Sequence, residues 1–438
     1  MTGGPSGGTD RWRPTAAHAR AVVGGLLLAG VAVLARRPDL LVIAAPLLGA
    51  ALWGALLRPT VAPVVRQTIG HRVVREGGVT TWHVAVDDAE GRAEDVAAVL
   101  ETPMWVDGRP IEGQVVVGLR EDGDAGLQFE LRPTRWGTRR LAPAIVVASS
   151  GWASFQWRAA SEADAQLLVA LPEPSAFDAT SSPVRVPGLI GVNRSPRYDG
   201  GSEFARIRPF QPGDRLRRIQ WPRSLRTGTL HVTSTWADHD RHVVLLVDAM
   251  DDIGDSEGVG GRGSSLDITM RAAAALAEHH VGRGDRVALV VLTGRGVQRV
   301  APGAGHRHLM RLLETMAGVQ PTTASHDDGR VPRGFGSGAL VLMLSPLVSP
   351  AALQRAATIA DRGITVVAID CLPEDIVRRD RDDPYAAVAW RIELLKRARE
   401  IRRVGAVGVA VVPWRGPGSL DLVLRAIERH AGSRSRRR

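Results

Sequence analysis

Two apolar stretches lie close together near the start of the chain. They cover residues 21–35 and 40–57, and a short polar link separates them. The second stretch is long enough to cross the hydrocarbon core of a bilayer as a helix, and the first reaches that length only with residues 16–20. The pattern predicts a transmembrane helical hairpin over residues 20–58, preceded by a tail of residues 1–19.

A secretory signal peptide is the alternative interpretation, because Arg11, Arg13 and Arg20 precede the first apolar stretch. The second stretch follows almost at once, with no clear small-residue cleavage site between the two, which favours the hairpin. Arginines also follow the pair, at positions 58, 66, 72 and 75, whereas the link carries two. By the positive-inside rule we expect both ends of the hairpin, and the body after it, in the cytoplasm.

Residues 59–175 alternate between apolar and polar positions in short runs such as 81–86 and 114–119. Clusters of turn-forming residues separate these runs. A period of two between such turns is typical of antiparallel strands, so we predict a small antiparallel β-sandwich. His71 and His83 are isolated in this region, and we expect surface or hydrogen-bonded positions for them rather than metal coordination.

Residues 241–432 show short apolar runs that alternate with amphipathic ones. The predicted strands are 242–248, 286–292, 339–344, 364–370 and 407–412, and the predicted helices are 266–281, 306–316, 351–362, 385–403 and 419–430. Apolar strands between amphipathic helices indicate a Rossmann-like α/β domain with a mainly parallel sheet. Ligands of such folds collect at the carboxyl ends of strands, where we expect Asp248.

Residues 176–240 form a linker that begins rich in Pro, Ser and Gly and then carries a charged motif. The motif residues are Gly201, Glu203, Phe204, Arg206, Arg208, Pro209, Pro212, Gly213, Asp214, Arg217, Trp221, Arg226 and Gly228. Pro212, Gly213 and Asp214 indicate a tight turn. We expect Glu203 and Asp214 to pair with arginines of the motif, and Trp221 to be buried beside them.

Three interpretations of this motif remain open. Its charged network either locks the segment onto the α/β domain or contacts a partner protein directly. The third interpretation, binding of phosphate or nucleic acid by the same arginines, has the least support in the sequence.

The motif resembles the signature of the family catalogued as domain of unknown function 58. The order of hairpin, β domain, motif and α/β domain is also similar to that family, although Gln220 stands where an acidic residue is usual and Phe210 where tyrosine is common. The resemblance implies a bacterial membrane protein with a von Willebrand factor A-like domain at residues 241–432. It further implies a partnership with a MoxR-type AAA+ ATPase in the assembly or maturation of envelope proteins.

The resemblance raises the question of a divalent metal site. In von Willebrand factor A-like domains an Asp-x-Ser-x-Ser motif after the first strand holds the metal, with a threonine and an aspartate from later loops. Here Met250 replaces the first serine after Asp248, and Asp252 could substitute for the second. His306 lies near the threonine position, and Ser345 precedes a proline where a Ser/Thr-Asp pair would lie. We therefore expect no metal and no cofactor.

Composition narrows the function classes. The chain has 438 residues, of which 44% are hydrophobic and 23% charged, which suits a folded protein of two or three domains. Cys371 is the single cysteine, so an intramolecular disulfide framework is excluded and a reducing compartment is favoured. The net charge of +10 invites nucleic-acid binding. However, acidic residues are spread through the same regions, and only the tail of residues 433–438 is a basic run, so we expect no nucleic-acid partner.

The sequence contains no P-loop, no Gly-x-Ser-x-Gly motif and no His-Glu-x-x-His motif. We therefore expect a membrane-anchored, non-enzymatic adaptor or scaffold that binds other proteins. The alternative is a metal-dependent binding or hydrolytic protein that uses Asp248, Asp251 and Asp252. A membrane-bound nucleic-acid binder is the third hypothesis, and its binding would depend steeply on salt and on the basic tail.

Overall fold

The computed structural model describes most of the chain and divides it into two compact units, Met1–Leu171 and Pro172–Arg438. The described residues are 11–110, 116–118, 124–159, 165–173, 204–211, 214, 216–235, 242–320, 331–332, 335, 339–374, 376, 385–415, 418–419 and 425. The boundary between the units lies close to the predicted end of the β domain at residue 175.

Two apolar helices form the first part of the first unit: α1 (Ala16–Leu34) and α2 (Asp39–Leu56). Both are long and apolar enough to cross a membrane, and most of their side chains are exposed. The helices pack closely, since a Cβ at Gly25 would lie 2.8 Å from the side chain of Leu48. The two predicted apolar helices are therefore confirmed, and the first begins four residues before the predicted boundary at residue 20.

Short strands make up the rest of this unit. They are β1 (Arg13–Pro14), β2 (Val64–Ile69), β3 (Val73–Arg75), β4 (Thr80–Asp87), β5 (Asp95–Val99), β6 (Val106–Pro110), β7 (Val116–Gly118), β8 (Asp124–Pro133), β9 (Gly137–Leu141), β10 (Ile145–Ser150), β11 (Phe155–Arg158) and β12 (Gln166–Leu171). Their sheets have the orders β1-β11-β10-β5-β7, β2-β4-β8-β6 and β3-β12-β9. The pairing is antiparallel, as predicted, apart from β3 with β12.

The alternation read from the sequence places one face of these strands in a common core. In β4, for example, Trp82, Val84 and Val86 are buried while the residues between them are partly exposed. They share this core with Phe129 of β8 and Val146 of β10. Burial of one face of each strand against the others is what holds the sheets together.

Residues 11–15, the described residues before α1, are attached to the same β region, although the sequence suggested a tail. Trp12 is buried among the β-strand side chains, and its Nε1 donates to the Val61 carbonyl at 2.8 Å. Strand β1 pairs with β11, and the Thr15 amide donates to the Ser154 carbonyl at 2.9 Å. The start of α1 is thereby fixed to the β region.

The second unit contains a small hairpin and an α/β region. The strands are β13 (Phe204–Pro209), β14 (His231–Thr235), β15 (His242–Asp248), β16 (Arg286–Thr293), β17 (Gly296–Gly303), β18 (Leu340–Ser345), β19 (Thr365–Asp370) and β20 (Ala410–Pro413), and the helices are α3 (Trp221–Thr227), α4 (Ser265–Gly282), α5 (His306–Ala317), α6 (Pro350–Asp361) and α7 (Ala386–Ala406). Strands β13 and β14 form an antiparallel pair. The other six have the order β17-β16-β15-β18-β19-β20, and only the β16–β17 pairing is antiparallel. The predicted mainly parallel sheet is confirmed.

Both faces of this sheet are covered. Along β15, Val244 and Leu246 pack in one core with residues of α6 and α7. Val243, Leu245 and Val247 point to the opposite face and are also buried, and α4 packs on this strand. Burial on both faces explains why the strands are almost continuously apolar.

One strand of the sheet was not predicted, and one helix cannot be compared. Strand β17 is an exposed edge strand, so it lacks the apolar run by which the other strands were recognised. Of the predicted helix 419–430, only Ser419 and Arg425 lie within the described residues, and the basic tail lies outside them.

Candidate functional site

The carboxyl ends of β15 and β18 lie side by side where the chain order of the sheet reverses. From β15 the chain runs through α4 to β16 on one side, whereas β18 lies on the other side. In open α/β sheets this switch point is the usual place for a ligand. Asp248 lies at this point, as the sequence predicted.

The carboxylate of Asp248 is buried and held by neighbouring groups. The Oγ of Ser345 donates to Asp248 Oδ2 at 2.6 Å, and the amide of Met250 donates to Asp248 Oδ1 at 3.2 Å. Ser345 Oγ in turn accepts from the Leu347 amide at 3.0 Å. These hydrogen bonds offset part of the cost of burying the carboxylate.

A second carboxylate at the same edge is paired with an arginine. The Arg397 guanidinium on α7 contacts Asp370 Oδ1 at the end of β19, and its Nε donates to the Pro346 carbonyl at 3.0 Å. Both side chains of the ion pair are nearly buried. Cys371 follows Asp370 and is buried near both carboxylates, and this burial raises the pKa of its thiol well above the usual range. The thiol is therefore protonated at physiological pH and unreactive as a nucleophile.

The remaining candidates for metal coordination have other roles. Asp252 Oδ1 accepts from the Leu266 amide at 3.2 Å at the start of α4, and Met250 contributes no oxygen. His306 is the first residue of α5 and is exposed. Within the described residues, no three His, Cys, Asp or Glu side chains are close enough to hold a metal ion. The guanidinium of Arg397 also places a positive charge beside the edge, which opposes a divalent cation.

We expect the full chain to show no micromolar binding of Mg²⁺ or Mn²⁺. The physical reason is that both oxygens of Asp248 already accept hydrogen bonds, from Met250 and Ser345, and that no group of three ligating side chains is found in the part of the chain that the structure describes. Isothermal titration calorimetry of the purified chain measures this directly. Micromolar binding that is lost in the Asp248→Ala variant would contradict the expectation.

The charged motif folds as a small unit around one ion pair. Arg208, on β13, donates from Nη1 and Nη2 to Asp214 Oδ2 and Oδ1, both at 2.7 Å. The Gln211 amide also donates to Asp214 Oδ2 at 2.8 Å, and the Asp214 amide donates to the Gln211 carbonyl at 3.0 Å. The bidentate pair closes the turn between them, and the Arg208 guanidinium holds the pKa of the Asp214 carboxyl below its usual range.

The hairpin strands hold helix α3 in place through Ser224. Ser224 is buried, its Oγ donates to the Gln220 carbonyl at 2.9 Å, and it accepts from the His231 amide at 2.9 Å. Gly228 ends the helix in the left-handed conformation with a φ of 70°, and its amide donates to the Ser224 carbonyl at 3.0 Å. A glycine is favoured there because a Cβ would be strained at positive φ.

This small unit exposes several apolar and basic side chains. Trp221 and Leu225 lie four residues apart on one face of α3 and are 57% and 81% exposed. Leu216, Arg217 and Arg226 are exposed as well. We call these five residues the signature surface. The prediction that Trp221 is buried is wrong, because Ser224 occupies the side of α3 that faces the hairpin.

The other predicted motif residues divide into two groups. Pro209 ends β13, whereas Phe204 and Arg206 lie in β13 with side chains outside the described part. Gly201, Glu203, Pro212 and Gly213 lie outside the described residues.

Three contributing residues were missed by sequence reasoning: Ser224, Asp370 and Arg397. Asp370 could have been found, since it ends an apolar strand in the same way as Asp248. Arg397 gives no such signal, because it lies among several arginines and only the packing of α7 brings it to the sheet.

We expect the Asp214→Asn variant to loosen the hairpin of β13 and β14. Loss of the hydrogen bonds between charged groups in this largely buried pair costs about 2 kcal/mol. Faster amide hydrogen exchange in both strands of the full chain measures this loss. Because the pKa of Asp214 is lowered on folding, the stabilisation is complete above its unfolded-state pKa of about 3.9 and is lost as the pH falls through the folded-state value.

The matched control is Glu257→Gln, which removes a carboxylate from an exposed pair with Arg262 at 2.7 Å. That pair is screened by solvent and is expected to contribute little. Equal exchange rates in β13 and β14 for wild type and Asp214→Asn would show that the pair does not hold the hairpin.

Comparison with known proteins places the match on this second unit. Residues 206–376 match the family described as protein of unknown function DUF58. Uncharacterized proteins from Mycobacterium tuberculosis and Mycobacterium bovis are 30% identical over 198 residues, which cover 44% of this chain and 54% of each relative. The chain thus spans about half the length of the curated relatives it matches. The resemblance of the charged motif to this family is confirmed over the matched residues.

Proposed function

We propose that the chain is a membrane-anchored, non-enzymatic adaptor or scaffold that works with a MoxR-type AAA+ ATPase in the assembly or maturation of envelope proteins. The observation that carries the proposal is the signature surface. The side chains of Trp221 and Leu225 are exposed on α3. The hydrogen bonds of Ser224, the glycine cap at Gly228 and the ion pair of Arg208 with Asp214 stabilise this small unit, and all of these residues lie within the matched segment.

The composition of this surface favours a protein partner. Tryptophan and arginine are enriched among the residues that contribute most to protein interfaces, and an exposed tryptophan beside a leucine provides a large apolar contact. Arg217 and Arg226 are also exposed and lie close in sequence to Trp221 and Leu225. Their charge fits an acidic rim on the partner, which would steer the two proteins together.

The apolar helices supply the anchor in this proposal. Arginines are concentrated before α1 and after α2, which favours a cytoplasmic position for both ends and for the body. An ATPase partner requires the same orientation, since its substrate ATP is cytoplasmic. We therefore propose a multi-pass protein of the cell membrane with a cytoplasmic body.

We propose that the α/β region is a von Willebrand factor A-like domain. Its support is the strand order with helices on both faces and the aspartate at the end of the first strand of the parallel sheet. The metal-dependent alternative has less support, because the oxygens of Asp248 accept from Ser345 and Met250 instead of facing an open site.

Substitutions on the signature surface test the proposal. We expect Trp221→Ala and Leu225→Asp to lower recovery of a MoxR-type ATPase that co-purifies with the full chain from crosslinked membranes. Loss of about 2 kcal/mol at a contact of this kind corresponds to roughly a 30-fold weaker affinity. Both side chains are exposed, so folding is expected to be unchanged.

Leu395→Asp is the matched control, since Leu395 is a leucine of α7 that is 66% exposed and lies outside the signature surface. It is expected to leave ATPase recovery at the wild-type level. Failure to recover any such ATPase with the wild-type chain, or equal losses with all three variants, would refute the proposal.

A further inference from the structure

The turn between β10 and β11 covers the base of the apolar hairpin. A Cβ added to Gly54 of α2 would collide with the side chain of Ser154, so the two backbones approach closely there. Thr15 Oγ1, just before α1, donates to the Ala153 carbonyl at 2.7 Å. The ring of His18 lies 5.3 Å from that of Phe155. Both helices therefore meet the β region at this turn.

The turn holds a tryptophan outward instead of burying it. Trp152 is 73% exposed, although Gly151 and Ser154 on either side are buried. Trp152 and Ala153 both adopt positive φ, at 55° and 58°, which is unfavourable for residues with a Cβ. The Trp152 amide donates to Glu94 Oε2 at 2.8 Å, which fixes the turn. Exposure of the indole to water provides no free energy that would offset the backbone strain at Trp152 and Ala153.

The exposed indole lies beside another one on α2. The ring centroids of Trp152 and Trp53 are 6.2 Å apart, and Trp53 is itself about half exposed. Tryptophan is enriched at both membrane–water interfaces, where its ring is apolar on its faces and polar at its N–H. A pair of such rings at the end of an apolar helix is typical of the headgroup level.

Helix length sets the depth at which this pair lies. The 18 residues of α2 span about 27 Å, whereas the hydrocarbon core of a bilayer is about 30 Å thick. The whole helix is needed to cross the core, so the level of Trp53, near its end, coincides with the hydrocarbon boundary. Trp152, at the same level, then faces the interface.

Charges around the turn match the same surroundings. Three exposed arginines lie near the start of α1 or just after the end of α2: Arg13, Arg20 and Arg58. The Arg58 guanidinium lies 5.8 Å from the ring centroid of Phe155. Exposed arginines near a hairpin base attract anionic headgroups.

We infer that the turn of residues 151–154 is a membrane-interface anchor, in which Trp152 and Trp53 insert together into the headgroup region of an anionic membrane. The anchor fixes the β region against the bilayer surface, because the turn is hydrogen-bonded to Glu94 and Thr15. This inference rests on the proposed membrane anchoring by α1 and α2.

Spin-label depth measurements on the full chain test the inference. A single nitroxide is placed at Trp152→Cys, Ile43→Cys or Val99→Cys in a Cys371→Ala background, in nanodiscs that contain phosphatidylglycerol. Ile43 is an exposed residue of α2 about 6 Å along the helix from its first residue, and it reports the hydrocarbon side of the opposite boundary. Val99 is exposed on β5 and pairs with Ile145, four residues along the sheet from the Ser149–Asp95 pair next to the turn, so it reports water.

The ratio of collisions with oxygen to collisions with a nickel chelate rises with depth in the bilayer. We expect the ratio at position 152 to lie between the values at positions 43 and 99 and clearly above that at 99. A ratio at 152 equal to that at 99, with a lipid-like ratio at 43, would overturn the anchor and leave the hairpin intact. A water-like ratio at position 43 would overturn the membrane anchoring and the inference together.

Discussion

The ion pair between Arg208 and Asp214 is the contact on which the proposed interaction surface depends. Its two short hydrogen bonds close the turn after β13, and the chain then returns through α3 to β14. Among the described residues this sheet has two strands, and a pair of strands is at best marginally stable in water by itself. The bidentate ion pair is largely shielded from solvent and stabilises these two strands in place of a large apolar core. Because these contacts do not need the indole of Trp221, its side chain stays exposed and can contact another molecule.

The polar groups at the edge of the parallel sheet serve a different purpose. Asp248 and Asp370 each end a buried strand, and each is satisfied from within the fold, by Ser345 and by Arg397 respectively. The carboxylates at this edge, where α/β sheets usually bind a ligand, thus form their hydrogen bonds and ion pair with other groups of the same fold. In the proposed function, the second unit serves as the scaffold that carries the signature surface.

Patterns that arise from burial could be predicted from the sequence, whereas those that depend on which groups meet in space could not. The strand His242–Asp248 was predicted with its observed ends, because an apolar run between polar residues records burial on both faces. Strand β17 escaped prediction because an exposed edge leaves no such record. The burial of Trp221 was predicted wrongly, since seven residues of α3 do not reveal which side meets the hairpin. The pairing of Trp152 with Trp53 joins residues about a hundred positions apart and has no local signal.

We propose that the signature surface is the contact for an ATPase partner. A benzophenone amino acid placed at position 221 and irradiated in intact cells tests this most directly, with mass spectrometry of the products. We expect a crosslinked product with a MoxR-type AAA+ ATPase that is absent when the same group is placed at position 395. Products that contain only lipid, or only another part of this chain, would contradict it.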